Sequence, residues 1–164
     1  MATIELHLLR HAHAGDPLKW HGPDEDRPLS SKGRGQAERL GALLAAVGFK
    51  TDVIVTSPKV RASQTAELVA HRLGLRPRVD DRLGDPLSLT ALERVLSKAG
   101  DPGSIVLVGH DPDFSELLGL LTGASLITMR KGAIARIDTT RPVEPGIGAL
   151  RWLLPPELVP RPKK

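Results

Sequence analysis

Ile105-Val106-Leu107-Val108 is an unbroken run of β-branched and aliphatic side chains, with no polar residue alternating into it. A strand of this kind must hide both faces, which places it inside a parallel sheet covered by helices on either side. Other segments fit the same architecture. Ile4–Leu9 and Val53–Val55 read as further strands, and Arg78-Val79 as a short one. Helical spacing falls between them. Ser31 opens a helix that carries Ala37, Leu40, Leu44 and Val47 on one face and stops at Gly48. Ser57 is the expected N-cap of a second helix, with Pro58 at its first position, running to about Leu73 and Gly74. Leu89–Lys98 makes a third helix behind Ser88, and Asp111-Pro112 repeats the cap-and-proline device before a fourth. Ala133–Ile137 and Ala149–Leu154 read as a closing pair of strands, with irregular chain after Pro155. This alternation predicts an α/β fold of three layers, α/β/α, around a mostly parallel central sheet. The 164 residues suit a single domain over 1–155, followed by a basic, Pro-rich tail over 156–164.

Composition removes whole classes of function. With no cysteine, thiol nucleophiles, thiolate metal sites and disulfides are all excluded. Two Trp, two Phe and no Tyr leave too few rings for a platform that stacks single-stranded nucleic acid. No apolar run approaches the length that crosses a bilayer, and the N-terminus does not read as a signal peptide. The expectation is a cytoplasmic protein, monomeric by default, with neither nucleic acid nor membrane as a partner. A net charge of +4 and a pI near 9.8 favour anionic ligands, although part of the surplus is the tail Arg161-Pro162-Lys163-Lys164.

In open parallel sheets ligands bind beyond the carboxyl ends of the strands. Arg10-His11 closes the first strand, Gly109-His110 closes a later one, and Arg61 sits early in the helix after the second. The long polar stretch Ala12–Leu29 is a candidate active-site loop over the same rim. Two histidines and two arginines meeting there suit a phosphoryl group. A neutral imidazole whose other nitrogen donates to a carbonyl is a nucleophile. Guanidinium forks neutralise the phosphoryl oxygens, and adjacent helix N-termini add partial positive charge. The remaining histidines have plainer readings: His7 packed or at an edge, His21 in a loop, His71 on a helix surface. His11 and His13 stand two apart, as a metal pair can, but no third ligand of metal spacing accompanies them. No metal or other cofactor is expected.

Four segments in order carry a specific resemblance. They are Leu8-Leu9-Arg10-His11-Ala12, Arg27-Pro28-Leu29-Ser30, Ser57-Pro58-Lys59-Val60-Arg61-Ala62-Ser63-Gln64-Thr65-Ala66, and Val108-Gly109-His110-Asp111-Pro112. Together they resemble the histidine phosphatase superfamily (branch 1), and among its members the small SixA-type phosphohistidine phosphatases. The resemblance runs from Ile4 to about Leu154 and implies a phosphoglycerate mutase-like fold. It implies that His11 is the phosphorylated nucleophile and that Arg10 and Arg61 bind phosphoryl oxygens. It also makes His110 the second pocket histidine and Arg27 a further phosphate-lining arginine. Covalent catalysis without metal comes with the family. Ala12 replaces the usual glycine after the histidine. Where many members carry a general-acid Glu, this chain has Leu83-Gly84-Asp85, so Asp85 is either a shorter acid or the start of a turn at Pro86. Asp16 and His13 are other candidate proton sources.

Leaving-group chemistry then bears on substrate. An alkoxide needs a well-placed proton, whereas imidazole, whose conjugate acid has a pKa of about 6.5, needs far less help. A small, open rim also suits a histidine presented by another protein. The expectation is a phosphatase that hydrolyses phosphohistidine on proteins through an intermediate on His11. Its alternatives are a phosphomonoesterase for a small phosphoester or nucleotide-derived substrate, and a non-catalytic phosphoryl-binding module.

Overall fold

The computed structural model describes residues 2–163; Met1 and the tail residue Lys164 lie outside them. Six strands form one sheet in the order β3-β2-β4-β1-β5-β6. They are β1 (Ala2–Arg10), β2 (Val53–Thr56), β3 (Arg78–Val79), β4 (Ser104–Gly109), β5 (Ile134–Arg141) and β6 (Ala149–Leu154). The first four run parallel, and the closing β5–β6 pair adds antiparallel pairings. Helices α1 (Ser31–Ala46), α2 (Val60–Leu73), α3 (Leu89–Lys98) and α4 (Asp113–Thr122) complete three layers. The core is correspondingly double. Leu6, Leu8, Ile105 and Leu107 pack in one cluster with Leu92, Leu96 and Phe114, while Leu9, Val106 and Val108 pack in the other with Leu40, Ala66 and Val69. The alternation of one strand's side chains between two apolar clusters is why Ile105–Val108 of β4 carries no polar residue.

Several boundaries differ from the sequence reading, each for a local reason. Helix α2 begins at Val60, not behind Ser57: the Ser57 hydroxyl accepts from Lys59 N and also bonds a histidine ring, and Lys59 itself stays extended. Helix α4 begins at Asp113, with Pro112 and not Asp111 at the N-cap position, although the Asp111 carboxylate accepts from Ser115 N (3.0 Å) and Ser115 Oγ (2.6 Å) in its first turn. Val47 is no part of the buried face of α1; it follows the helix and is 67% exposed. Strand β5 runs four residues past Ile137 because Asp138 to Arg141 pair with the start of β1. Beyond Pro155 the chain is not wholly irregular, since Pro156–Leu158 form a 3-10 turn and Val159 is buried. His7 is a packed histidine, its Nδ1 3.0 Å from Ile105 O and its ring edge-on to Phe49.

Gly109 ends β4 against a ring. A Cβ there would lie 2.7 Å from Phe114 Cζ and 3.0 Å from Cε1, and Phe114 is buried in the core. Gly109→Ala should therefore destabilise by about 1–3 kcal/mol, as overpacking does. It should also disturb His110, whose carbonyl accepts from Phe114 N (3.0 Å). Urea unfolding checks the first effect and turnover the second; an unshifted midpoint would mean that the ring yields freely.

Candidate active site

Parallel pairing of β1 with β4 sets Arg10 opposite Gly109, so His11 and His110 emerge side by side at the carboxyl edge of the sheet. His11 N continues the ladder by donating to Gly109 O (2.9 Å). Gly132 N clamps the same turn by donating to the carbonyls of Arg10 (3.1 Å) and His11 (2.9 Å). Thr65, four residues after Arg61, ties this strand end to α2. Its hydroxyl accepts from Ala12 N (3.1 Å) and donates to Arg61 O (2.8 Å). The two histidine rings lie 5.3 Å apart between centroids and are 6% and 8% exposed.

His11 Nδ1 stands 2.7 Å from the carbonyl oxygen of Ala12. A carbonyl only accepts, so Nδ1 carries the proton and Nε2 keeps its lone pair. His110 Nε2 is 2.7 Å from Ser57 Oγ. Among the described residues, four buried side-chain nitrogen or oxygen atoms lack a partner. Three belong here: His110 Nδ1, Arg10 Nε and Arg61 Nε. Buried polar atoms without partners are costly, and two guanidinium donors beside a ring nitrogen at one rim suit an oxyanion.

Other nitrogens of these arginines have protein partners. Arg10 Nη1 donates to Met129 O (2.7 Å) and lies 3.6 Å from Asp111 Oδ2. Arg61 Nη1 donates to Asp24 O (2.9 Å) and Nη2 to Asp24 Oδ2 (3.0 Å). Arg27 Nε donates to Asp24 Oδ1 (3.1 Å) and its Nη1 to Ala14 O (2.9 Å). Asp24, on the 3-10 turn Asp24–Asp26, thus spans two guanidiniums with one carboxylate. The hydrogen bond from Arg27 leads in holding that carboxyl below its ordinary range, with the charge of Arg61 adding to it. Burial, reinforced by Arg10, Arg27 and Arg61, lowers the Lys131 ammonium.

Each candidate proton donor has contacts of its own. Asp16 accepts from Leu18 N (2.9 Å) and caps a 3-10 turn. His13 Nδ1 pairs with Ser30 Oγ at 2.6 Å. Asp85 is exposed and borders a hollow shared with Pro58 and Lys59. Sequence reasoning missed four members of this neighbourhood: Asp24, Ser57 as a histidine partner, Thr65 and Lys131. Thr65 had a signal, one turn beyond Arg61; Asp24 had a fainter one, three residues before Arg27.

Burial is the main cause that lowers His11 to about 3, with the charges of Arg61 and Arg10 adding to it. Burial likewise lowers His110 to about 3, followed by His11 and Arg61. Both rings are therefore neutral at pH 7. The unfolded chain binds protons on these rings below about pH 6.5 while the folded chain does not. Their contribution to stability is present above that pH and is lost as pH falls toward 3. Urea midpoints should decline from pH 7 to pH 4, and His110→Gln should flatten the decline. A midpoint constant over that range would show that the two rings do not fold in neutral form.

The family profile described as "Histidine phosphatase superfamily (branch 1)" matches residues 6–85. A protein of Picosynechococcus, uncharacterized, is 36% identical over 93% of this chain and 100% of its own length. This chain belongs to the histidine phosphatase superfamily, branch 1. It is a phosphate-releasing hydrolase of that type. Among other relatives, an 8-oxo-(d)GTP phosphatase of Mycolicibacterium smegmatis is 35% identical over 64% of this chain, but over only 33% of its own length. The fold matches the protein histidine phosphatase SixA complexed with tungstate at a TM-score of 0.79. Coverage there is 93% of this chain and 97% of the other, at 23% identity. An Escherichia coli structure described as a putative alpha-ribazole-5'-P phosphatase matches at 0.71 with 21% identity, over 93% and 96% of the two chains. At these identities the likeness to both solved structures is one of fold alone. No helix among the described residues is long and apolar enough to cross a membrane.

Proposed function

We propose that this hydrolase removes phosphoryl groups from phosphohistidine on partner proteins, with His11 as the covalent nucleophile. His11 Nε2 attacks phosphorus, the substrate's P–N bond breaks, and the departing imidazole takes a proton from solvent. Water then attacks the phosphorus on His11, releasing orthophosphate and restoring the free imidazole. The unpartnered Arg10 Nε, Arg61 Nε and His110 Nδ1 would donate to the phosphoryl oxygens. With the Ser57 hydroxyl, 2.7 Å away, donating to His110 Nε2, the His110 proton would stand on Nδ1. Arg27 supports this cradle through the carboxylate it shares with Arg61.

One observation carries the choice of substrate: the carboxyl closest in contact with the cradle, Asp24, is held ionised by its arginines and is a poor proton donor. Asp16 is committed to a turn and Asp85 lies exposed. A leaving imidazole tolerates such a site, whereas an alkoxide does not. The likeness to SixA supports the same reading. A second reading, hydrolysis of a small phosphoester or nucleotide-derived substrate, draws on Asp85, which shares its hollow with Lys59 at the start of α2. Assaying a phosphohistidine peptide beside glycerol phosphate separates them. The proposal expects kcat/KM for the peptide to be larger by a factor of at least about 100, which is about 2.7 kcal/mol of barrier. Faster turnover of glycerol phosphate, abolished by Asp85→Asn, would replace it with the second reading.

A further inference from the structure

A second concavity, of about 940 Å³, opens beside the phosphoryl pocket and shares Arg10 with it. Its lining also includes Lys32, Arg130, Lys131 and Arg161, against the single carboxylate of Glu157. That carboxylate is already paired, 3.4 Å from Arg130 Nε. The mechanism uses none of this space, and a lone phosphoryl group needs only the cradle at His11.

Three separate parts of the chain supply the cations. Lys32 lies in the first turn of α1, at the positive end of the helix dipole, where a cation is unfavourable for the helix itself. Arg130 and Lys131 precede β5, and Arg161 follows the 3-10 turn Pro156–Leu158. Pro155, Pro156 and Pro160 stiffen that last wall, and buried Val159 fastens it to the core. The charges are spread around an open groove and do not converge on one oxyanion. Lys32 and Arg161 are exposed, and the Arg130 side chain is 78% exposed. Such a layout matches an extended anion that arrives with its own backbone, and reads it through many weak, long-reaching contacts.

We infer that this groove seats an acidic segment of the partner protein beside its phosphohistidine. The inference rests on the phosphohistidine reading above and adds what the partner must look like. Glu or Asp side chains flanking the modified histidine would lie along Lys32, Arg130 and Arg161 while the phosphoryl group enters past Arg10. The gain falls on binding, so it belongs in KM and not in kcat.

The test compares two phosphohistidine peptides of equal length, one flanked by Glu and one by Gln. It adds a small phosphoramidate and uses the variant Lys32→Glu/Arg130→Glu/Arg161→Glu, all at exposed positions outside the cradle. The wild type should show a KM at least about tenfold lower for the Glu peptide at low salt, as expected for steered, screened charge pairs. That gap should vanish in the variant, while phosphoramidate turnover stays equal in the two proteins. Equal KM values on the wild type, or a gap that survives in the variant, would overturn the inference. Were no P–N bond hydrolysed at all, the phosphohistidine reading would fail by itself. Fluorescence anisotropy of the unphosphorylated Glu peptide would still decide the groove, with tighter binding by the wild type supporting it and equal binding refuting it. A nucleoside triphosphate that loses affinity in the variant, while the Glu peptide does not, would make the groove a polyphosphate seat and refute the acidic segment.

Discussion

His11→Gln should leave a folded protein whose turnover has dropped by about 10⁴- to 10⁶-fold, the scale seen when a nucleophile is removed from a covalent mechanism. The substitution keeps a polar side chain in a buried position, with its amide near the place of Nε2, and gives up only the Nδ1 bond to Ala12 O. It removes the one lone pair that can reach phosphorus. The decisive measurement is rapid quench with a radiolabelled phosphoryl donor. Wild type should trap an acid-labile, alkali-stable label, as an N-linked phosphoryl group is, and the variant none. Equal labelling of the two would move the nucleophile to another residue. His11→Gln should also unfold less readily in acid than the wild type, because it removes a group that is buried neutral.

Arg61→Lys preserves charge and should still cost about 2–4 kcal/mol of transition-state stabilisation, the price of one oxyanion donor. In rate this is about 30- to 1000-fold. The geometry explains why charge is not enough. Arg61 commits Nη1 and Nη2 to Asp24 and still has Nε buried and free. An ammonium cannot hold both oxygens of Asp24 and present a third, fixed donor in another direction. Steady-state kinetics on phosphoramidate would measure the loss. Near-full activity would place Arg61 outside the phosphoryl cradle, whatever its contacts in the resting protein.

The layers of the fold were legible because burial on two faces leaves a direct trace in composition: Ile105–Val108, the buried stretch of β4, has no polar residue to hide. Helix α3 was readable to the residue, since Ser88 accepts from Ala91 N as a cap should. The start of α2 was not. The Ser-Pro pair that signals a helix N-terminus serves a different need here, the orientation of His110, and no local rule distinguishes the two uses of one hydroxyl. Arg10, His11, Arg61 and His110 were readable as strand-end and helix-start residues, because topology alone sends those places to one rim. Asp24 and Lys131 were not, because their importance comes from contacts or fields between distant segments. A carboxylate in an acidic stretch such as Asp24-Glu25-Asp26 reads as ordinary solvated surface until the arginines that fold over it are known.

Asp24 also bears on how a catalytic cycle begins. Because it is tethered, its carboxylate sits opposite Arg27 and Arg61 at an effective concentration that no dissolved anion matches. The outer nitrogens of Arg61 are thus occupied before any substrate arrives, and its Nε is left facing one direction. Orientation of that donor is settled in advance, so little ordering remains to oppose binding.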